Sequence, residues 1–116
     1  MEQFGYVIVP RNREGMVGQM AGDANPDDLI FFPFTKSEMD AAKPLMRAFE
    51  RAFGFDAEGN TVEQLIDTRF AGMAEDMARS TASAATDEAE KASAKRIADA
   101  LAAALECGSY AEFDVI

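Results

Sequence analysis

The chain has no histidine, no tryptophan and only one cysteine. Each absence removes a kind of chemistry. Histidine is the side chain whose ordinary pKa lies nearest neutrality, so general acid–base work would fall to carboxylates or lysine. Common zinc sites lose their imidazole ligands, and Cys107 alone makes neither a thiolate cluster nor an internal disulfide. A single thiol fits a reducing, cytoplasmic setting. There is no run of eighteen apolar residues, so no helical membrane span is expected. The opening stretch MEQFGYVIVPRNREG has no basic leader and too short an apolar run for a secretory signal. The glycine-bearing stretch 11–22, RNREGMVGQMAG, follows a strand-like segment as phosphate loops do, yet lacks both the GK[ST] ending and the G-x-G-x-x-G spacing. No nucleophile–base pattern is present, and no spacing pairs two carboxylates. The chain therefore reads as a non-enzyme without cofactor or metal.

What the sequence does have is apolar residues and negative charge. Hydrophobic residues make up 48% of 116, enough to build the core of one domain spanning 1–116. There are 21 acidic residues against 11 basic ones, a net charge of −10. Both halves share the excess, with 10 acids and 6 bases in residues 1–60 and 11 and 5 in residues 61–116. Such a field repels phosphate backbones and attracts basic surfaces. Direct binding to nucleic acid is disfavoured, whereas a partner that itself binds nucleic acid is admitted. The same charge also serves solubility.

The order of elements points to an α+β fold, with a mainly helical domain as the alternative. Residues 4–9, FGYVIV, are apolar on both faces and read as a buried strand ended by Pro10. Residues 11–28 read as irregular, with 11–22 a mobile surface loop and a short helical turn admitted by Met16/Met20 and Val17/Ala21, each four apart. Residues 29–34, LIFFPF, form a second strand, which Pro33 places at an edge or bulge. Thr35 and Glu38 have the capping-box spacing. The helix behind them carries Met39, Ala42, Met46, Phe49 and Phe53 at steps of three and four. Pro44 predicts a kink or break within it, and Gly54 its end. Thr61 and Gln64 repeat the capping box, ahead of a stripe of Val62, Leu65, Ile66, Phe70, Met73 and Met77. Residues 78–86 are small and bland, and either extend that helix or link it to the next. Thr86 or Asp87 caps a third helix, whose inner face is Ala94, Ile97, Ala98, Leu101, Ala104 and Leu105, with Gly108 as its stop. Residues 110–115 alternate as a half-exposed terminal strand. A small sheet of about three strands, two N-terminal and one C-terminal, packed by three helices, satisfies this order.

Several stretches resemble sites. In DAEGN, residues 56–60, Asp56, Glu58 and Asn60 alternate as calcium ligands do. However, position 6 of such a loop would be Thr61 rather than glycine, and position 12 would be Asp67 rather than glutamate. A turn between two helices is the better reading. The charge does not suit a helix pair that reads a DNA groove, because the segment carrying Glu63, Gln64, Asp67, Arg69, Glu75 and Asp76 would repel DNA. The helix before it carries a basic row, Lys43, Arg47 and Arg51, where like charges four apart cost a few tenths of a kcal/mol per pair unless offset. Arg11 and Arg13 open the glycine-bearing loop, an adaptable segment of the kind that binds. Cys107, at a helix C-terminus where the dipole disfavours a thiolate, reads as a packed small residue.

These features favour a small acidic inhibitor or decoy that covers a basic, nucleic-acid-binding surface of another protein. The residues expected to meet the partner are Glu63, Asp67, Glu75, Asp76, Lys43, Arg47, Arg51, Arg11 and Arg13. In general style such a chain is similar to phage-borne inhibitors of bacterial defence, such as anti-CRISPR and anti-restriction proteins, and to toxin-neutralising immunity proteins; the analogy is one of class, with no shared motif. An oligomeric structural or accessory protein is the alternative. Phe31, Phe32 and Phe34, close together on one strand, and the alanine-rich third helix both leave room for a homodimer.

Overall fold

The computed structural model describes residues 3–53 and 65–115. A strand that is apolar on both faces needs cover on both sides. Strand β1 (Gln3–Pro10) accordingly lies inside a four-stranded antiparallel sheet, between β2 (Leu29–Thr35) and β4 (Tyr110–Val115). Strand β3 (Leu65–Asp67) pairs with β4 and completes the order β2-β1-β4-β3. Val7 faces Phe32 on one side and Phe113 on the other, and Pro33, opposite Tyr6, sits on an edge strand, where proline is tolerated.

The fourth strand comes from a segment whose pattern reads as helix. Leu65 and Ile66 fit a helical stripe in sequence, but Leu65 pairs with Glu112 and Ile66 with Ala111, and Ile66 is 1% exposed. Three residues are too few to display a period of two, so the strand has no signature of its own. Residues 54–64, which include Gly54, the DAEGN turn and the Thr61 capping box, lie outside the described residues.

One face of the sheet carries three helices, α2 (Lys36–Phe53), α3 (Thr68–Ala84) and α4 (Glu88–Cys107). Helix α2 begins with the reciprocal box expected of Thr35 and Glu38: the Thr35 amide donates to Glu38 Oε1 at 2.9 Å, and the Glu38 amide to Thr35 Oγ1 at 3.3 Å. Pro44 does not divide α2, which continues through it for 18 residues. Ala42, Leu45, Met46 and Phe49 are buried, with Met39 and Phe53 packed against them. Helix α3 is capped by Asp67, whose carboxylate accepts the Arg69 amide at 3.0 Å. The cap therefore falls at Asp67 and not at Thr61, and the helix absorbs residues 78–84, so no linker occurs there. Its inner face is Ala71, Ala74 and Ala78, backed by Phe70 and Met77, while Met73 points out at 60% exposure. Asp87 caps α4, accepting the Glu90 amide at 3.1 Å. Gly108, at φ 63, ends α4 in the left-handed region. Alanines on both helices bring α3 and α4 close together. The fully buried Leu101, Phe49 and Phe34 each contribute roughly 1.5–3 kcal/mol by leaving water.

The other face is covered in part by α1 (Arg13–Ala21), which corrects the loop expected over residues 11–28. Asn12 caps it, accepting the Gly15 amide at 2.8 Å, and a single 3-10 turn over Pro26–Asp28 leads into β2. The glycines that imitate flexibility in the sequence are there for close approach. A Cβ on Gly15 would meet the Asp28 carbonyl oxygen at 2.3 Å, and one on Gly18 the Ala24 Cα at 2.7 Å. Gln19 of α1 donates to Glu112 of β4 at 2.7 Å. Beneath this helix Ile8 and Tyr110 are buried, although both alternate away from the three-helix layer. The terminal strand is therefore covered on both faces at Tyr110, and not half-exposed there.

Candidate functional site

The three-helix layer is electrically balanced. Helices α2, α3 and α4 together contain nine carboxylates and nine cations. The excess of −10 therefore comes from the rest of the sequence, which has twelve acids, the Asp67 and Asp87 caps of α3 and α4 among them, and two bases, Arg11 and Arg13. Four of those acids, Glu14, Asp23, Asp27 and Asp28, belong to α1 and the segment behind it.

Within the balanced layer several charged groups are tied to one another. Asp40 sits between Lys36 and Lys43, 3.5 Å from each. Arg79 binds Glu75 at 2.8 Å and lies 3.6 Å from Asp99. Arg96 of α4 binds Glu38 at 2.7 Å, donates to the Pro33 carbonyl oxygen at 2.9 Å and stacks over the Phe34 ring at 5.3 Å. Burial alone would raise the Glu38 carboxyl, but the hydrogen bonds from Arg96 and Thr35, with the charge of Arg96, hold it below its ordinary value.

The residues expected to meet a partner do not form one surface. Lys43, Arg47 and Arg51 make an exposed row along α2, as their spacing requires. Asp67 lies on β3 and caps α3. Hydrogen bonds from Arg69, side chain first, hold its carboxyl below the ordinary value. Glu75 is engaged by Arg79, whereas Asp76 is exposed on the wall of a groove between α2 and α3. Glu63 lies outside the described residues. Arg11 and Arg13 flank the start of α1, and Arg13 lines a shallow hollow behind it. The picture of an acidic second helix after a short turn does not hold, because β3 intervenes and α3 carries two acids and two bases. A helix–turn–helix arrangement is removed by the same strand.

The face built on α1 was not anticipated from the sequence. Its outer side exposes Val17 at 61% and Met20 at 72%. Behind it is an open hollow of about 480 Å³, lined by Arg13, Glu14, Val17, Asp23, Asn25 and Asp28, among others. On the same side of the sheet Phe31 is 43% exposed and meets Tyr6 edge-on, ring centres 5.7 Å apart. The signal was present: Met16/Met20 and Val17/Ala21 are four apart, and Asn12 stands three residues before Gly15 as a cap. On the same side of the sheet the Tyr110 hydroxyl is buried with no hydrogen-bond partner among the described residues. Burial, with the nearby Glu112 carboxylate, raises its pKa.

Among the described residues no group of three or more histidine, cysteine, aspartate or glutamate side chains could hold a metal ion. Nor is any helix among them long and apolar enough to cross a membrane. Comparison with protein-family models, with curated proteins and with solved structures finds no match to this chain.

Proposed function

We propose that the protein acts by binding another protein, as an acidic inhibitor or decoy that occupies a basic, nucleic-acid-facing surface of its partner. The observation that supports this is the α1 face, where carboxylates accompany exposed apolar side chains. Glu14, Asp23, Asp27 and Asp28 belong to α1 and the segment behind it, beside Arg11 and Arg13, and the same segment exposes Val17 and Met20. Charge alone steers an encounter but gives little specificity. Val17 and Met20, exposed among Glu14, Asp23 and Asp27, add the apolar anchor that a specific contact needs. In this reading the carboxylates stand where phosphates would stand on the partner, and Met20 adapts to its surface. Phage-borne anti-defence proteins and immunity proteins work in this general manner, in the cytoplasm, and a lone cysteine is compatible with that compartment.

The test is capture with the purified chain as bait, followed by competition with duplex DNA. A basic, nucleic-acid-binding partner should be retained, released as salt rises, and displaced by DNA. Val17→Asp with Met20→Asp should lose it while remaining folded by circular dichroism. A partner that DNA does not displace, or that the double variant holds as well as the wild type, sinks the proposal.

A further inference from the structure

We infer that the groove between α2 and α3 is the seat of a second copy of this chain, docked about a two-fold axis. The groove has a volume of about 680 Å³, with walls of Pro44, Leu45 and Ala48 from α2 and Met73, Met77 and Ser80 from α3. Met73, at 60% exposure, is the most exposed large apolar side chain of the helical layer. Ala48 on α2 also lines the groove, and its small side chain leaves room for a methionine from outside.

The charges on the two lips select the occupant. On α2, Arg47 and Arg51 follow the groove residues Pro44 and Ala48 by three positions, so with Lys43 they run along its outer flank. On the opposite side is Asp76 of α3, and Glu90 of α4 also lines the groove. A basic helix from another protein would meet the α2 lip unfavourably, and an acidic peptide the α3 lip. A second copy turned by a two-fold axis sets each basic lip against an acidic one, with the Met73 side chains of the two copies entering facing grooves. The electrical balance of the layer removes the main obstacle. Two chains of −10 repel, but the helices of this layer, with nine charges of each sign, add no net charge to the contact. The dimer leaves the surface proposed for the partner open, and neither reading depends on the other.

Sedimentation equilibrium of the full chain tests this. The wild type should show a monomer–dimer equilibrium in the micromolar range. Lys43→Glu with Arg51→Glu makes both lips acidic, and Asp76→Lys with Glu90→Lys makes both basic. Each variant alone should weaken the dimer at least tenfold while keeping the wild-type circular dichroism spectrum. Mixed together, the two should form a heterodimer at near wild-type strength, because every lip again meets its opposite. Met73→Asp should weaken self-association in the same way. A wild type that stays monomeric up to its solubility limit, lip variants that dimerise unchanged, or a mixture that does not associate overturns the inference. So does a dimer broken by Val17→Asp with Met20→Asp instead.

Discussion

Glu38 ties three elements together, and its removal has a calculable effect. Its carboxylate closes the cap at the start of α2 and binds Arg96 of α4, which in turn holds the Pro33 carbonyl oxygen of β2. The side chains are only 16% and 32% exposed, so the pair is mostly out of water and the small values of surface ion pairs do not apply in full. Loss of the cap costs about 0.5–1 kcal/mol, and loss of a charge-assisted hydrogen bond about 1.5–3 kcal/mol. Since Arg96 keeps Pro33 and partial contact with water, Glu38→Ala should destabilise by about 2–3 kcal/mol. Glu38→Gln keeps an acceptor for the Thr35 amide and loses only the charge, which costs about 1 kcal/mol. Arg96→Met preserves the apolar stem over Phe34 and completes a double-mutant cycle, with an expected coupling of about 1–2 kcal/mol. Urea unfolding followed by circular dichroism measures each variant against wild type. The pH dependence has a definite sign. The folded carboxyl lies below its ordinary 4.5, so its stabilisation is complete above that pH and is lost as pH falls through the folded value. Glu38→Gln should flatten that acid limb. A coupling below about 0.3 kcal/mol, or an Ala variant within about 0.5 kcal/mol of wild type, would mean that Glu38 and Arg96 do not hold these elements together.

The other predictions concern α1 and the core. Gly15→Ala drives a Cβ into the Asp28 carbonyl oxygen and should cost about 1–3 kcal/mol in urea unfolding, with loss of protection in the α1 amides by hydrogen exchange. Tyr110→Phe removes a buried hydroxyl that has no partner among the described residues, and should stabilise by about 1 kcal/mol; a loss of similar size would mean that the hydroxyl is satisfied in solution. Leu101→Ala, at the fully buried centre of α4, should cost about 2–5 kcal/mol in the same unfolding assay.

Much of the fold was legible because long periodic segments repeat their signal. The stripe of α2, the Thr35/Glu38 box, the Asp87 cap and the Gly108 stop each follow from local spacing, and each stands where that spacing puts it. What was hidden depended on distant contacts. β3 is held by β4, more than forty residues away, and three residues cannot announce a strand. Gly15 and Gly18 are spaced like flexible-loop glycines, and only the approach of Asp28 and Ala24 shows why side chains are excluded. The basic row on α2 was plain from its spacing; the groove that it flanks needs α3 beside it.

The proposed binding of a basic, nucleic-acid-binding partner by the α1 side, through carboxylates beside an apolar anchor, is open to one decisive measurement: parallel capture with wild type and with Val17→Asp/Met20→Asp, each with and without competing duplex DNA. The expected result is one basic protein bound by the wild type, displaced by DNA and absent from the variant. The same proteins on both baits, or a partner indifferent to DNA, would contradict it.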